Sequence, residues 1–219
     1  MKYLFILSIS FLLACNEQID EKTSKNEIPY VKIGTQIWML KNLDIEHFRN
    51  GDIIPQVSDS VEWSSIKSPA WCYYNNDPLL GKIYGKLYNQ YAVEDTRGLA
   101  PKGWKIPNEK DWETLEEYLG DSSKAGGALK STGTVEQGNG LWFAPNVGAT
   151  NISGFTALPG GYRFPDGMFF GTGYYGYWWA FTGKDTNNTW HRFLHYQGSY
   201  IHLLDYGPNA GLSVRCIKE

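Results

Sequence analysis

The sequence predicts an α+β fold: a single domain with an antiparallel β meander and one to three short helices placed before it. Three observations lead there. Asn108 to Leu119 carries a helical apolar stripe with an end signal on each side. Val31 to Met39 alternates about a Gly-Thr pair, as a hairpin does. Residues 162–206 hold fifteen of the chain's thirty-four aromatic residues, in short runs divided by Gly, Asn, Asp and Pro.

The chain opens with Lys2, an apolar run from Leu4 to Leu13, and Leu12-Leu13-Ala14-Cys15. A small residue before a cysteine, with Leu three back, is the lipobox pattern, and the run is too short to span a bilayer. Residues 1–14 therefore read as a cleavable signal peptide, and Cys15 as the lipidated residue. Residues 16–29 are polar and charged, so 15–29 is expected to be a lipidated, flexible tether ahead of a globular domain over 30–219. A lipid anchor in the cell outer membrane follows as the expected localisation, with either membrane face open. The formal charge is −3 and no basic block occurs, which argues against nucleic acid as a partner. No later stretch is apolar enough for a transmembrane helix.

Each element has its own signal. Val31–Ile33 and Gln36–Met39 flank Gly34-Thr35. A short helix is expected near Leu87 to Val93, where Leu87 and Tyr91 share a face. In the helix from Asn108 to Leu119, Asn108 is placed to cap, Asp111 sits in the first turn, Trp112, Leu115 and Leu119 form the stripe, and Gly120 stops it. Residues 123–131 add a turn or two. Strands are expected at Phe155–Leu158, Gly161–Phe164, Tyr177–Thr182, Trp190–Tyr196, Tyr200–Leu204 and Leu212–Ile217. Cys72 and Cys216 are expected to lie close enough for a disulfide in an oxidising compartment, two buried free thiols being the alternative.

The strings VKIGTQIWMLKNL, WCYYNND, GKLYNQYAV, LAPKGWKIPNEKDWETLEEYLG, GATNISGFTALPGGYR and GLSVRCIKE follow one another from about Val31 to Glu219. In that order they resemble the Fibrobacter succinogenes major paralogous domain, common in exported and lipid-anchored proteins of Bacteroidetes and Fibrobacteres. The resemblance supplies no activity to carry over. Its closing string is also similar to the ending of formylglycine-generating enzymes and other C-type-lectin-like folds, with Gly211-Leu212 where Gly-Phe is usual. That likeness implies a C-type-lectin-like domain whose last strand returns beside the first.

The chemistry-bearing residues exclude more than they assign. His191 and His195 on one strand would stand about 13 Å apart, too far to share a metal. His47 and His202 complete no zinc spacing; the oxygen cluster Asn75-Asn76-Asp77-Pro78 offers calcium one carboxylate, and its Asn76-Asp77-Pro78 reads as a turn, so no metal and no cofactor is expected. There is no Gly-x-Ser-x-Gly elbow, and no carboxylate pair stands out for glycoside hydrolysis. Gly171, Gly173 and Gly176 interleave with Thr172, Tyr174 and Tyr175, as in a mobile aromatic loop. Tyr174, Tyr175, Tyr177, Trp178, Trp179 and Trp190, with Arg163 and Arg192, are the candidate binding residues, because flat rings with a polar edge suit sugars and protein partners alike. The competing assignment puts Trp178 and Trp179 in the core. The function expected is a non-catalytic, surface-exposed lipoprotein that binds a glycan or a protein partner; a carbohydrate-active enzyme or a structural surface protein are the alternatives.

Overall fold

The computed structural model describes residues 27–120, 122–181 and 190–219. The expected signal peptide, Cys15 and most of the expected tether lie outside them. The described elements, in chain order, are β1 (Tyr30–Ile33), β2 (Gln36–Met39), α1 (Ser60–Ser65), β3 (Trp71–Cys72), α2 (Pro78–Tyr84), β4 (Leu87–Tyr88), α3 (Gln90–Val93), β5 (Trp104–Lys105), α4 (Glu109–Leu119), α5 (Ser122–Leu129), β6 (Gly160–Arg163), β7 (Phe169–Thr172), β8 (Tyr175–Trp179), β9 (Trp190–His195), β10 (His202–Asp205) and β11 (Ile217–Lys218).

The class is α+β, with five α-helices among the described residues where at most three were expected. The two helices missed, α1 and α2, are short. They start at acidic caps: Asp59 accepts from the Glu62 amide, and Asp77 accepts from the Leu79 amide. The turn expected at Asn76-Asp77-Pro78 is the junction between a short 3-10 turn over Tyr74–Asn76 and α2, with Asp77 capping both. In α4, Asn108 and Asp111 exchange hydrogen bonds as a capping box, and Trp112 and Leu115 are buried.

Two sheets carry the domain. One runs β1-β2-β11-β5, so the C-terminal β11 returns antiparallel between β2 and β5. The other runs β10-β9-β8-β6-β7. Its β8-β9-β10 part is the expected meander, whereas β8 lies parallel to β6 and β7 hangs on the far edge. The strand expected at Phe155–Leu158 is a loop that touches Lys130 through one bridge at Ala157. Of the strand expected at Leu212–Ile217, Leu212 and Ser213 form isolated bridges, 214–216 are irregular, and β11 begins only at Ile217.

Between the sheets and α4 sits an aromatic core. Trp38 lies 5.1 Å from Trp112 and 5.6 Å from Phe155, and Trp178 stands 6.1 Å from Phe155, ring centre to ring centre. Asn42 is the polar centre beside it. Its Oδ1 accepts from Trp178 Nε1 (2.9 Å), Arg215 Nε (3.0 Å) and Arg215 Nη2 (2.8 Å), while its Nδ2 donates to the Tyr84 carbonyl (2.8 Å). Arg215 is fully buried, and its Nη1 donates to the carbonyls of Met39, Leu40 and Phe155.

Cys72 and Cys216 are free thiols, which corrects the expected disulfide. They sit in different core clusters, Cys72 with Trp63 and Leu87, Cys216 with Tyr88 and Val214. Burial pushes both thiols up to about 12.

Two outcomes are expected. Asn42→Ala leaves Arg215 and Trp178 without their shared acceptor and should lower stability by about 2–4 kcal/mol in urea unfolding; a loss under about 1 kcal/mol would show that Asn42 is dispensable. A thiol reagent should label Cys72 and Cys216 only in denaturant, since thiolates are the reactive form; labelling of the folded chain at either position contradicts their burial.

Candidate functional site: an aromatic groove on the C-terminal sheet

Side chains on a strand alternate between faces, and the register of the second sheet sorts its aromatics accordingly. Tyr175 faces His195, Tyr177 faces Phe193 and Trp179 faces His191 across β8 and β9. On the flanking strands Phe193 pairs with His202 and Tyr162 with Phe170, on the same face. The opposite face carries Trp178 and Leu194, which pack into the core with α4 and α5. One face is therefore core. The other is an aromatic face whose Tyr162, Tyr177 and Trp179 join a second core cluster, the Trp179 indole donating to the Tyr88 carbonyl, and which opens to solvent towards Tyr175.

The open part is a groove of about 370 Å³ lined by Tyr162, Phe170, Tyr175, Tyr177, Phe193, His195, Gln197, His202, Leu204 and Tyr206. Its rings hold one another. Phe193 and His202 stack at 4.3 Å and 11°, Tyr177 and Phe193 at 5.0 Å and 22°, Tyr162 and Tyr206 at 5.2 Å and 11°. Tyr177 is only 3 % exposed and forms the floor, whereas Phe170 is 51 % exposed and forms the rim. The Tyr162 and Tyr206 hydroxyls lie 3.4 Å apart. Burial first, then the neighbouring phenol of Tyr206, hold the Tyr162 and Tyr177 hydroxyls well above the ordinary tyrosine range, so both stay protonated.

Two histidines from neighbouring strands meet here: the His195 and His202 rings are 5.0 Å apart. Burial, then the charge of Lys130, lowers the His195 pKa; burial, then His195, lowers that of His202. Lys130 lies behind His195. It is fully buried and donates to the carbonyls of Val147 (2.8 Å), His195 (3.2 Å) and Gly198 (2.8 Å), tying the end of α5 to the turn between β9 and β10.

The candidate residues divide sharply. Tyr175 and Tyr177 line the groove. Tyr174 is 41 % exposed but turns away, packing on Phe143 at 4.6 Å and Tyr196 at 5.2 Å. Segment 171–179 is no mobile loop: Gly173, at a φ of 82°, makes a tight turn, and the rest is strand.

Trp178, Trp179, Arg163 and Arg192 are corrected to structural residues. Trp178 is bound to Asn42, and both tryptophans are buried. Arg163 has no exposed surface; it donates to the carbonyls of Val57, Ser58, Asp59 and Gly167 and lies over the Trp63 ring. Arg192 faces the core side, 3.5 Å from Glu116. The side chain of Trp190 lies outside the described residues. Phe170, Tyr162, Phe193, His195, His202 and Tyr206 were not selected from sequence, although the alternation of His191, Phe193 and His195 was there to be read.

Comparison with protein-family models matches residues 31–218 to the Fibrobacter succinogenes major domain. The chain belongs to that family. No curated protein and no solved structure matches it. Family membership thus fixes the domain and leaves the groove to be read from its own geometry. A larger cavity of about 480 Å³ lies beside Leu99, Ile106 and Phe181. Its cations are already engaged: Arg49 donates to the carbonyls of Ala100 and Trp104, and Lys105 to Asp111.

The histidines give this site a pH signature. His195 is met by Lys130, Tyr175, Tyr200 and His202, and His202 by Phe193, Tyr200 and His195; none of these neighbours is an acid. Both folded-state values lie below the ordinary histidine value of 6.5, so the unfolded chain binds more protons in the window just under 6.5. Stability is then lost as pH falls through that window. His195→Gln/His202→Gln should flatten the decline in urea midpoint between about pH 7 and pH 5; an unchanged decline would place its source elsewhere.

Proposed function

We propose that this family member is a non-catalytic binding domain, held by lipid at Cys15 on the cell outer membrane, that takes a glycan into the aromatic groove. The single observation that carries this is the open ring-lined face opposite the core. Large apolar side chains are normally consumed by packing, and here Phe170 is left exposed and Tyr175, Phe193 and Tyr206 half-buried over a floor of buried Tyr162 and Tyr177, in an order set by strand register. The groove's volume falls at the lower end of the roughly 300–1,000 Å³ usual for small-ligand sites. Flat rings offer stacking faces for sugar rings, and the phenols, imidazoles and Gln197 at the edges suit hydroxyl groups.

The carbohydrate-active-enzyme alternative needs two carboxylates about a sugar's width apart, and no Asp or Glu lines this groove among the described residues. A protein partner remains the second reading, supported by Phe170 at the rim, an aromatic of the kind that anchors interfaces. The return of β11 beside the N-terminal hairpin is consistent with the C-type-lectin-like fold that the closing string suggested, and we extend the proposal to that fold.

Oligosaccharide binding by calorimetry tests the function. Phe170→Ala and Tyr175→Ala should each weaken binding by about 1–3 kcal/mol. Phe170→Ala should leave stability nearly unchanged, because its ring is half exposed. Full binding retained in both variants would remove the groove from the proposal.

A further inference from the structure

The groove's charge composition says which glycans it admits. Its lining holds phenols, imidazoles, phenyl rings, one leucine and one amide, and among the described residues no Arg, Lys, Asp or Glu. Lys130, the cation felt by His195, has no exposed surface and spends its donors on three carbonyl oxygens. Arg192, between His191 and Phe193 on β9, lies on the opposite face of the sheet, 3.5 Å from Glu116. A carboxylate or sulfate entering the groove would shed water with no counter-charge to replace it, which costs far more than desolvating a hydroxyl. A hydroxyl, by contrast, finds both donors and acceptors in tyrosine, glutamine and neutral imidazole.

Resting on the glycan-binding reading above, we infer that the groove selects uncharged sugar residues and excludes uronate-, sialate- and sulfate-bearing ones. Selectivity comes from the missing counter-charge rather than from a repelling group, a form of discrimination by unpaired desolvation. Neutral imidazoles matter to it. With both His195 and His202 uncharged near neutral pH, the groove offers an anion no full positive charge; below the ordinary histidine range that protection fades.

The test is a printed array of neutral oligosaccharides beside uronate-, sialate- and sulfate-bearing ones, probed with the full chain in detergent at about pH 7.5. The neutral oligosaccharide that binds is then titrated by calorimetry against its own C6-oxidised uronate form, which keeps backbone and linkage and changes only charge. The expected result is binding of neutral sugars and a Kd about tenfold or more weaker for the uronate. In Gln197→Arg, which sets a cation at the exposed edge of the groove, that gap should narrow at least about threefold. Equal or tighter binding of the uronate by the unaltered chain overturns the inference and leaves glycan binding standing. A gap that Gln197→Arg does not narrow also overturns it, since the exclusion would then be steric. Binding of no sugar on the array overturns both this inference and the reading beneath it.

Discussion

One side-chain oxygen holds this domain together. Asn42 Oδ1 takes three hydrogen bonds, one from Trp178 on β8 and two from Arg215 near the C-terminus, and the same asparagine donates to Tyr84 at the end of α2. The N-terminal segment, the aromatic sheet and the returning C-terminus therefore meet at a single buried group. Burial pushes the Arg215 guanidinium down to about 9, and its donors are taken up by Asn42 and three carbonyls. A network this interlocked is stabilising when complete and costly when one member is missing.

The same device recurs because so much of the chain is loop. Loops leave buried carbonyls without ladder partners, and each must find a donor. Lys130 serves three such carbonyls, Arg163 four and Arg215 three, each cation fully buried with no carboxylate among these contacts. Each also lies over a ring: Lys130 over Trp142, Arg163 over Trp63, Arg215 over Phe155. Arg163, read from sequence as a candidate binding residue, belongs to this scaffold. A basic side chain beside aromatics looks the same in sequence whether it meets a ligand or its own backbone.

What was legible in the sequence follows from how local each signal is. The α4 cap and stripe, the β1-β2 hairpin and the β8-β9-β10 meander rest on periodicity and turn chemistry within a few residues, and they stand nearly where expected. The helices α1 and α2 were missed because two turns generate too little periodicity to register. The disulfide expectation failed because two cysteines far apart in sequence carry no information on distance; they end in separate core clusters. The aromatic site was half legible. The segment singled out does supply two residues of the groove, Tyr175 and Tyr177, but which face is open depends on what packs behind the sheet. Trp178 is core because Asn42, α4 and Phe155 lie on its side. Tyr162 reaches the groove through the parallel pairing of β6 with β8, which no short window reveals.

The groove is thus the back of a core. Trp178 and Leu194 fix the sheet from one side, Lys130 pins the β9-β10 turn, and the rings of Tyr175, Phe193 and His202 are left facing out on a rigid frame, so a ligand would meet a surface already shaped. A structure of the full chain bound to a neutral oligosaccharide tests that claim most directly. It should place a sugar ring within stacking distance of Tyr175 or Phe193 with the β8-β9-β10 backbone unmoved. A sugar seated instead in the cavity beside Leu99 and Phe181, or a groove that must unpack to admit it, would contradict it.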